Sequence, residues 1–81
     1  MSGFVFLDEV RENLSLRVIG LQGEEWLTGR LRELGFIPGQ RLELQMRLIA
    51  GEPLIVRVAG TRFALRREEA RCLLVTEDAP E

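Results

Sequence analysis

The side chains that most often carry chemistry in proteins are scarce in this sequence. It has no histidine, no lysine and a single cysteine, Cys72. Serine–histidine and cysteine–histidine catalysis are therefore excluded, as is Schiff-base chemistry on a lysine. A zinc site built in the usual way from cysteine and histidine is excluded for the same reason. The sequence predicts a protein that is not an enzyme, and a structural thiol at Cys72, which has no general base beside it.

Carboxylates remain as ligands for a hard cation. Two pairs of adjacent glutamates are present, Glu24–Glu25 and Glu68–Glu69. Neighbouring side chains on a helix diverge by about 100°, so neither pair converges on one ion. Hard cations take several oxygen ligands at once. We therefore predict no metal site and no cofactor in the monomer, with divalent metal binding kept as the minor alternative.

Length and charge narrow the function classes further. The chain has 81 residues, 46% of them hydrophobic, which is enough for one small domain. Its net charge of −2 argues against a nucleic-acid partner, since such proteins usually carry a net basic face. No apolar run approaches the roughly 18 residues that a membrane helix needs, so we expect no direct membrane insertion. One unpaired cysteine and no export signal favour a reducing compartment, the cytoplasm.

One helix is predicted over residues 24–34, and its end is well marked. Leu27, Leu31 and Leu34 are spaced at i, i+4 and i+7, so they share one face that we expect to be buried. Gly35 follows in the position where helices commonly end with a left-handed residue. Phe36 would then contact Leu31, as the residue after such a cap usually does.

A tight turn is predicted directly after this cap. Pro38 presets the backbone at the second position of a type II turn over 37–40. Gly39 accepts the positive φ that the third position requires. The stretch therefore leads the chain from a helix into a strand.

Alternating apolar and polar residues predict the strands. The clearest spans 40–48 and directs inward Leu42, Leu44, Met46 and Leu48. Further strands are predicted over 14–21, 54–58, 63–65 and 73–75. A turn at 50–53 and a two-residue type II′ hairpin that begins with Gly60 connect the later ones. Residues 66–71 are predicted to form a single helical or 3₁₀ turn.

About five short strands, one helix and glycine-rich turns indicate a mainly β fold, a small antiparallel barrel. Closure of a barrel removes the exposed edges of so small a sheet. We predict a single domain over 1–81 with its core at about 14–76. Residues 1–13 are expected to pack on the barrel as an edge strand or a short helix, burying Leu7 and Val10. Residues 77–81 are expected to form a frayed tail, and Trp26 to be partly buried.

The order of these motifs is specific enough to compare with known families. The first half carries Leu31, Leu34, Gly35, Pro38 and Gly39, and the second half carries Gly60, Ala64, Leu65 and Arg66. Together they resemble the FeoA family, small cytoplasmic proteins of bacterial ferrous iron uptake. The resemblance covers about residues 14–76.

This resemblance implies an SH3-like barrel with an inserted helix. It also implies an accessory role toward the membrane GTPase transporter FeoB, through an interaction with the cytoplasmic part of that transporter. The same domain recurs as the C-terminal module of metal-dependent repressors. The alternative function is therefore a metal-responsive or transition-metal-binding domain. The sequence specifies no oligomeric state.

A partner surface is proposed from the strand pattern. Ile55 is apolar at an outward position, on a face that it shares with Arg57. Phe36 and Ile37 add apolar area at the corner between helix and strand. We predict these four residues as the docking surface, with Ile55 as its anchor and Arg57 as a carboxylate-binding group at its rim.

Overall fold

The described part of the computed structural model comprises residues 3–48, 50 and 52–78. Within it the chain forms one antiparallel sheet of six strands, in the order β1-β6-β2-β3-β4-β5. The strands are β1 Val5–Phe6, β2 Leu14–Leu21, β3 Arg41–Arg47, β4 Leu54–Val58, β5 Thr61–Leu65 and β6 Leu73–Glu77. Two helices, α1 Glu25–Glu33 and α2 Arg67–Ala70, and a 3₁₀ turn at Leu7–Glu9 complete the fold.

The inward faces of the strands and one face of α1 meet in a single apolar core. Its fully buried side chains are Leu7, Leu16, Val18, Leu31, Phe36, Leu44, Leu54, Val56, Leu65, Leu73 and Val75. They come from five strands, the 3₁₀ turn, α1 and the cap that follows it. The apolar positions that alternate in the sequence therefore share one core, as expected for a single small domain.

The N-terminal segment forms both of the structures that the sequence left open. Strand β1 pairs with β6, and the 3₁₀ turn follows at once. Leu7 and Val10 are buried, as predicted. The guanidinium group of Arg47 donates hydrogen bonds to the carbonyl oxygens of Asp8, at 2.8 Å, and Val10. These bonds attach the segment to β3; residues 1 and 2 lie outside the described residues.

The end of α1 confirms the predicted cap. Gly35 has a φ of +112°, and its N–H donates to the carbonyl of Arg32 at 3.0 Å. The N–H of Phe36 reaches back to the carbonyl of Leu31, also at 3.0 Å. These two bonds define a Schellman motif. The expectation that Leu34 is buried was wrong: it is 39% exposed, because Phe36 fills the core at this end of the helix.

The turn after the cap also has the predicted geometry. The N–H of Gln40 donates to the carbonyl of Ile37 at 3.0 Å, which closes a four-residue turn. Gly39 has a φ of +91°, and a Cβ added there would meet no atom within 4 Å. The requirement for glycine at this position is therefore conformational and not steric.

We predict that Gly39→Val destabilises the domain by about 1–3 kcal/mol, the usual strain of a β-branched residue held at positive φ. The free energy of unfolding, measured by urea denaturation, checks this value. Because the site is open, Gly39→Asn should cost clearly less, since asparagine tolerates this region of φ. An unchanged free energy in the valine variant would contradict the turn geometry.

Strand β3 contains an irregularity that the alternating sequence does not reveal. Leu44 pairs with Val56 and Met46 with Ile55, so Gln45 is an additional residue in the ladder. Such a β-bulge reverses the facing of the residues that follow it. Met46 and Leu48 are accordingly 46% and 44% exposed. The prediction that they face inward with Leu42 and Leu44 was wrong for this reason.

The hairpin between β4 and β5 differs from the predicted type. Val58 pairs with Thr61, so the loop consists of Ala59 and Gly60 alone. Their φ angles are +50° and +82°. Positive values at both positions define a type I′ turn, with glycine second, and the predicted type II′ turn was wrong. The type I′ twist matches that of the flanking strands.

The C-terminal end is more ordered than predicted over residues 77 and 78. Glu77 is the last residue of β6. The Asp78 carboxylate accepts from Arg17 at 3.3 Å and from Arg41 at 2.9 Å. The frayed tail predicted from residue 77 was therefore wrong for these two positions. Residues 79–81 of that tail, and residue 51 of the turn predicted at 50–53, lie outside the described residues.

Candidate functional site

The outer face of strands β3, β4 and β5 carries two rows of side chains that run across the sheet. The first row is apolar and consists of Met46, Ile55 and Ala64, which are register partners on successive strands. The second row is charged and consists of Glu43, Arg57 and Arg62, paired in the same way.

The apolar row extends to the end of the β3–β4 hairpin. The N–H of Leu48 donates to the carbonyl of Pro53 at 3.1 Å and continues the ladder beyond β3. Ala64 is exposed, and Ile55 is partly covered by its neighbours. We call Met46, Leu48, Ile55 and Ala64 the apolar patch. Scattered apolar residues are common on protein surfaces, whereas a contiguous set on one face is typical of an interaction site.

The charged row places two arginines directly opposite each other. Arg57 and Arg62 are both exposed. Neither of them forms an ion pair with any residue in the described ranges. Like charges that face each other across two strands are destabilising by a few tenths of a kcal/mol or more. A carboxylate supplied from outside would relieve that repulsion and accept paired hydrogen bonds from a guanidinium group.

The structure does not bring the four predicted surface residues together. Phe36 is fully buried, with its ring edge-on to Phe63 at a centroid distance of 5.4 Å, so the prediction that it lies on a partner surface was wrong. The cap motif itself directs this side chain into the core. Ile37 is 45% exposed, but it precedes β3, whereas Ile55 faces Met46 near the far end of that strand. At about 3.3 Å per residue, the two ends of β3 are roughly 20 Å apart.

An open groove of about 690 Å³ adjoins the charged row. Its polar lining comes from Ser15, Arg41, Glu43, Arg57, Glu77 and Asp78. The chain contains no histidine, so Ser15 lacks the usual base that would activate its hydroxyl. The groove can therefore present charge and hydrogen-bonding groups to a ligand, without a nucleophile–base pair of the usual kind.

The acidic residues do not form a metal site in the described part of the chain. There, no group of three or more histidine, cysteine, aspartate or glutamate side chains is placed to hold an ion. Burial, followed by the charges of Glu68 and Glu69, raises the pKa of the Cys72 thiol. Its Sγ lies 3.4 Å from the carbonyl oxygen of Glu68. A protonated, buried thiol is a poor nucleophile and a poor metal ligand, in agreement with a structural role.

Trp26 is the largest apolar side chain on the surface, 61% exposed. Its indole N–H donates to the Glu24 carboxylate at 2.6 Å. The expectation that Trp26 is partly buried was wrong, because Leu27, Thr28 and Leu31 occupy the face of α1 that packs on the core. The sequence reasoning also missed Met46, Ala64 and Arg62 as surface residues of one face.

In the described part of the chain, neither helix is long and apolar enough to cross a membrane.

Comparison with known proteins gives a family and a fold. Residues 5–77 match the family model of the FeoA domain. A FeoA-like protein from Clostridium acetobutylicum is 25% identical, with a TM-score of 0.88 over 100% of this chain and 94% of that one. FeoA from Stenotrophomonas maltophilia, crystallised with zinc, is 37% identical, with a TM-score of 0.76 over 93% of this chain and 88% of that one. The latter is described as an SH3 domain protein and a candidate activating factor of bacterial ferrous iron transport.

The same fold occurs in a larger regulator. A manganese-dependent transcriptional repressor is 14% identical, with a TM-score of 0.86 over 96% of this chain and 44% of the repressor. At that identity the likeness concerns the fold alone. A comparison with curated proteins found no match. The mainly β, SH3-like fold class predicted from the sequence is confirmed. Within the described residues β1 and β5 are the end strands of the sheet and do not pair with each other, so the expectation that closure removes the sheet edges was wrong.

Proposed function

This chain belongs to the FeoA family, and we propose that it is an accessory protein of ferrous iron transport. The role attributed to the Stenotrophomonas maltophilia relative supports this proposal. We propose further that the protein works in the cytoplasm as an interaction module without catalytic activity. Its partner in this proposal is the cytoplasmic part of a FeoB-type membrane transporter.

The observation that carries the docking role is the apolar patch beside two arginines free of ion pairs in the described ranges. Met46, Ile55 and Ala64 are held in one row by the ladder of β3, β4 and β5. The patch is therefore presented on a rigid surface and loses little conformational freedom on binding. Its composition matches the usual anatomy of an interface, an apolar centre with arginine at the rim.

The rim determines the chemistry of the partner. Arg57 and Arg62 lie two residues along their strands from Ile55 and Ala64 and form the next pair on the same face. A partner surface that fits would offer apolar side chains to the patch and carboxylates to the arginines. Rim charges act mainly on the rate of association, so Arg57→Ala should slow association and weaken its salt dependence.

We predict that Ile55→Glu weakens binding to the cytoplasmic domain of a FeoB-type transporter at least about tenfold, or 1.4 kcal/mol. A buried carboxylate at the centre of the patch would lack a partner there. The fold should persist, because Ile55 lies on the outer face and is only partly buried. Biolayer interferometry measures the affinity, and circular dichroism verifies the fold.

The chain offers a matched control in Ile37→Glu. Ile37 is an exposed apolar residue in the turn that precedes β3, beyond the end of the strand opposite to Met46. This variant should bind like the wild type. Wild-type affinity in folded Ile55→Glu, or an equal loss in both variants, would contradict docking through the apolar patch.

Metal handling is the competing function, and it can be tested on the same protein. Isothermal titration with ferrous, manganous and zinc ions should give no micromolar binding to the monomer. Micromolar binding of any of these ions would favour a metal-responsive domain over the docking role. The two functions predict opposite results in this titration, because metal handling requires several ligands that converge on one ion, whereas docking requires none.

A further inference from the structure

Strand β5 has a free edge. It is the last strand in the sheet order and pairs only with β4 among the described residues. The two-residue hairpin makes Val58 and Thr61 a hydrogen-bonded pair. Hydrogen-bonded and non-hydrogen-bonded pairs alternate along antiparallel strands, so Arg62 and Ala64 direct their N–H and C=O groups away from β4.

These outward backbone groups have no partner in the described part of the chain. No turn, loop or cap hydrogen bond there involves the main-chain N–H or C=O of Arg62 or Ala64, and β5 has no neighbouring strand other than β4. Phe63 and Leu65 point inward and are bonded to β4 instead. Unpaired groups on a sheet edge are a template for a further strand.

A cleft of about 350 Å³ lies along this edge. Trp26 and Arg30 of α1 line it, and so do Ala64 of β5 and Arg66, which lies between β5 and α2. A cleft between an edge strand and a helix can hold an extended segment that pairs with the edge strand. Successive side chains of such a segment point to opposite faces of the sheet, and those on one face can enter the cleft. The exposed ring of Trp26 offers a large, rigid contact for one of them.

The charged side chains at this edge indicate which kind of segment can pair with β5. Arg30, Arg62 and Arg66 form no ion pair with residues in the described ranges. Two carboxylates, those of Glu68 and Glu69, also line the cleft, and that of Glu69 accepts the backbone N–H of Arg66 at 2.7 Å. Because Arg62 lies at the same edge and its register partner Arg57 on the neighbouring strand, arginines still outnumber carboxylates there. A second copy paired through β5 would bring two sets of these arginines together, which like-charge repulsion disfavours. An acidic segment would neutralise them.

We propose that an extended, acidic segment of the partner adds to β5 as a further strand, with a carboxylate beside Arg62 and an apolar side chain beside Ala64. This inference rests on the proposed docking function. The added strand would continue both rows of the outer face, the apolar row from Ala64 and the charged row from Arg62. Recognition would combine main-chain hydrogen bonds with these side-chain contacts.

Amide hydrogen exchange tests the inference without any substitution. The probe is the cytoplasmic domain of the FeoB-type transporter from the same genome, added until the protein is saturated. The amides of Arg62 and Ala64 should slow at least about tenfold in the complex, because they acquire acceptors. Those of Phe63 and Leu65, already bonded to β4, should change much less.

The outcomes separate this inference from the proposed function. A complex that leaves the Arg62 and Ala64 amides unchanged would overturn strand addition while docking itself stands. Absence of any complex would overturn the docking function and this inference with it. Protection of both amides in the free protein, together with a dimer in sedimentation, would assign the edge to a second copy and overturn the acidic partner.

A substitution pair gives an independent test. Ala64→Pro removes the outward N–H, and proline is tolerated on edge strands where that group has no partner in the sheet. Binding should weaken at least about tenfold, whereas Ala64→Val, which keeps the N–H, should bind within about twofold of wild type. Unchanged binding by folded Ala64→Pro would overturn strand addition. If that variant is unfolded by circular dichroism, the exchange result decides.

Discussion

Phe36→Ala is expected to destabilise the domain by about 3–5 kcal/mol, the usual loss when a buried phenylalanine is truncated. The ring is 0% exposed and contacts Phe63 edge-on at a centroid distance of 5.4 Å. Its removal leaves a cavity where the end of α1 joins the core. Small domains are stable by only about 5–15 kcal/mol, so a large share of the stability would be lost. Urea denaturation followed by circular dichroism measures the change.

The neighbouring residue provides the control for this prediction. Ile37 is 45% exposed, so Ile37→Ala should change the free energy of unfolding by no more than about 0.5 kcal/mol. The contrast tests the cap motif, which turns one of two adjacent apolar side chains inward and the other outward. A loss in Phe36→Ala as small as that in Ile37→Ala would show that Phe36 lies at the surface after all.

Leu44→Ala is expected to cost about 2–5 kcal/mol, the range for buried leucines. Leu44 is fully buried at the centre of the sheet, between Leu14 on β2 and Val56 on β4. The sheet cannot close the cavity left by the missing side chain without disturbing the pairing of β3 with both β2 and β4. The loss of unfolding free energy should therefore lie well above that of a surface substitution. The same denaturation experiment applies.

Met46→Ala is the matched control, because regular alternation would make Met46 equivalent to Leu44. The bulge at Gln45 turns Met46 outward instead. We expect Met46→Ala to cost less than about 1 kcal/mol, and Gln45→Ala to change little. Equal losses for Leu44→Ala and Met46→Ala would show that β3 alternates regularly and that the apolar patch does not exist as described.

Much of the fold could be predicted because its signals are local. The cap at Gly35 and the turn at Gly39 each require a positive φ, and both glycines have it. The dipole of α1 is complemented by the acidic Glu25 in its first turn and by the basic Arg30 and Arg32 in its last turn. These charges mark the two ends of the helix in the sequence. Such features depend on a few consecutive residues, so their chemistry is readable before any tertiary contact is known.

The candidate site was much less predictable. Ile55 and Arg57 were identified from alternation on one strand, but Met46 and Ala64 join them only through pairing between strands. No residue type marks the bulge at Gln45, so periodicity alone placed Met46 on the wrong face. Phe36 was predicted at the surface although the cap motif turns its side chain toward Leu31, because the depth at which that contact is buried depends on the packing of the whole core.

The sequence by itself determined the mainly β class, the position of α1, its cap and turn, and the absence of histidine chemistry. These follow from local periodicity, from backbone preferences and from composition. The tertiary structure alone decided strand register, the outward facing of Met46, the free edge of β5 and the ion pairs of Asp78. Those features depend on which strands become neighbours, and the pairing of two strands that are distant in the sequence cannot be read from the local sequence of either strand.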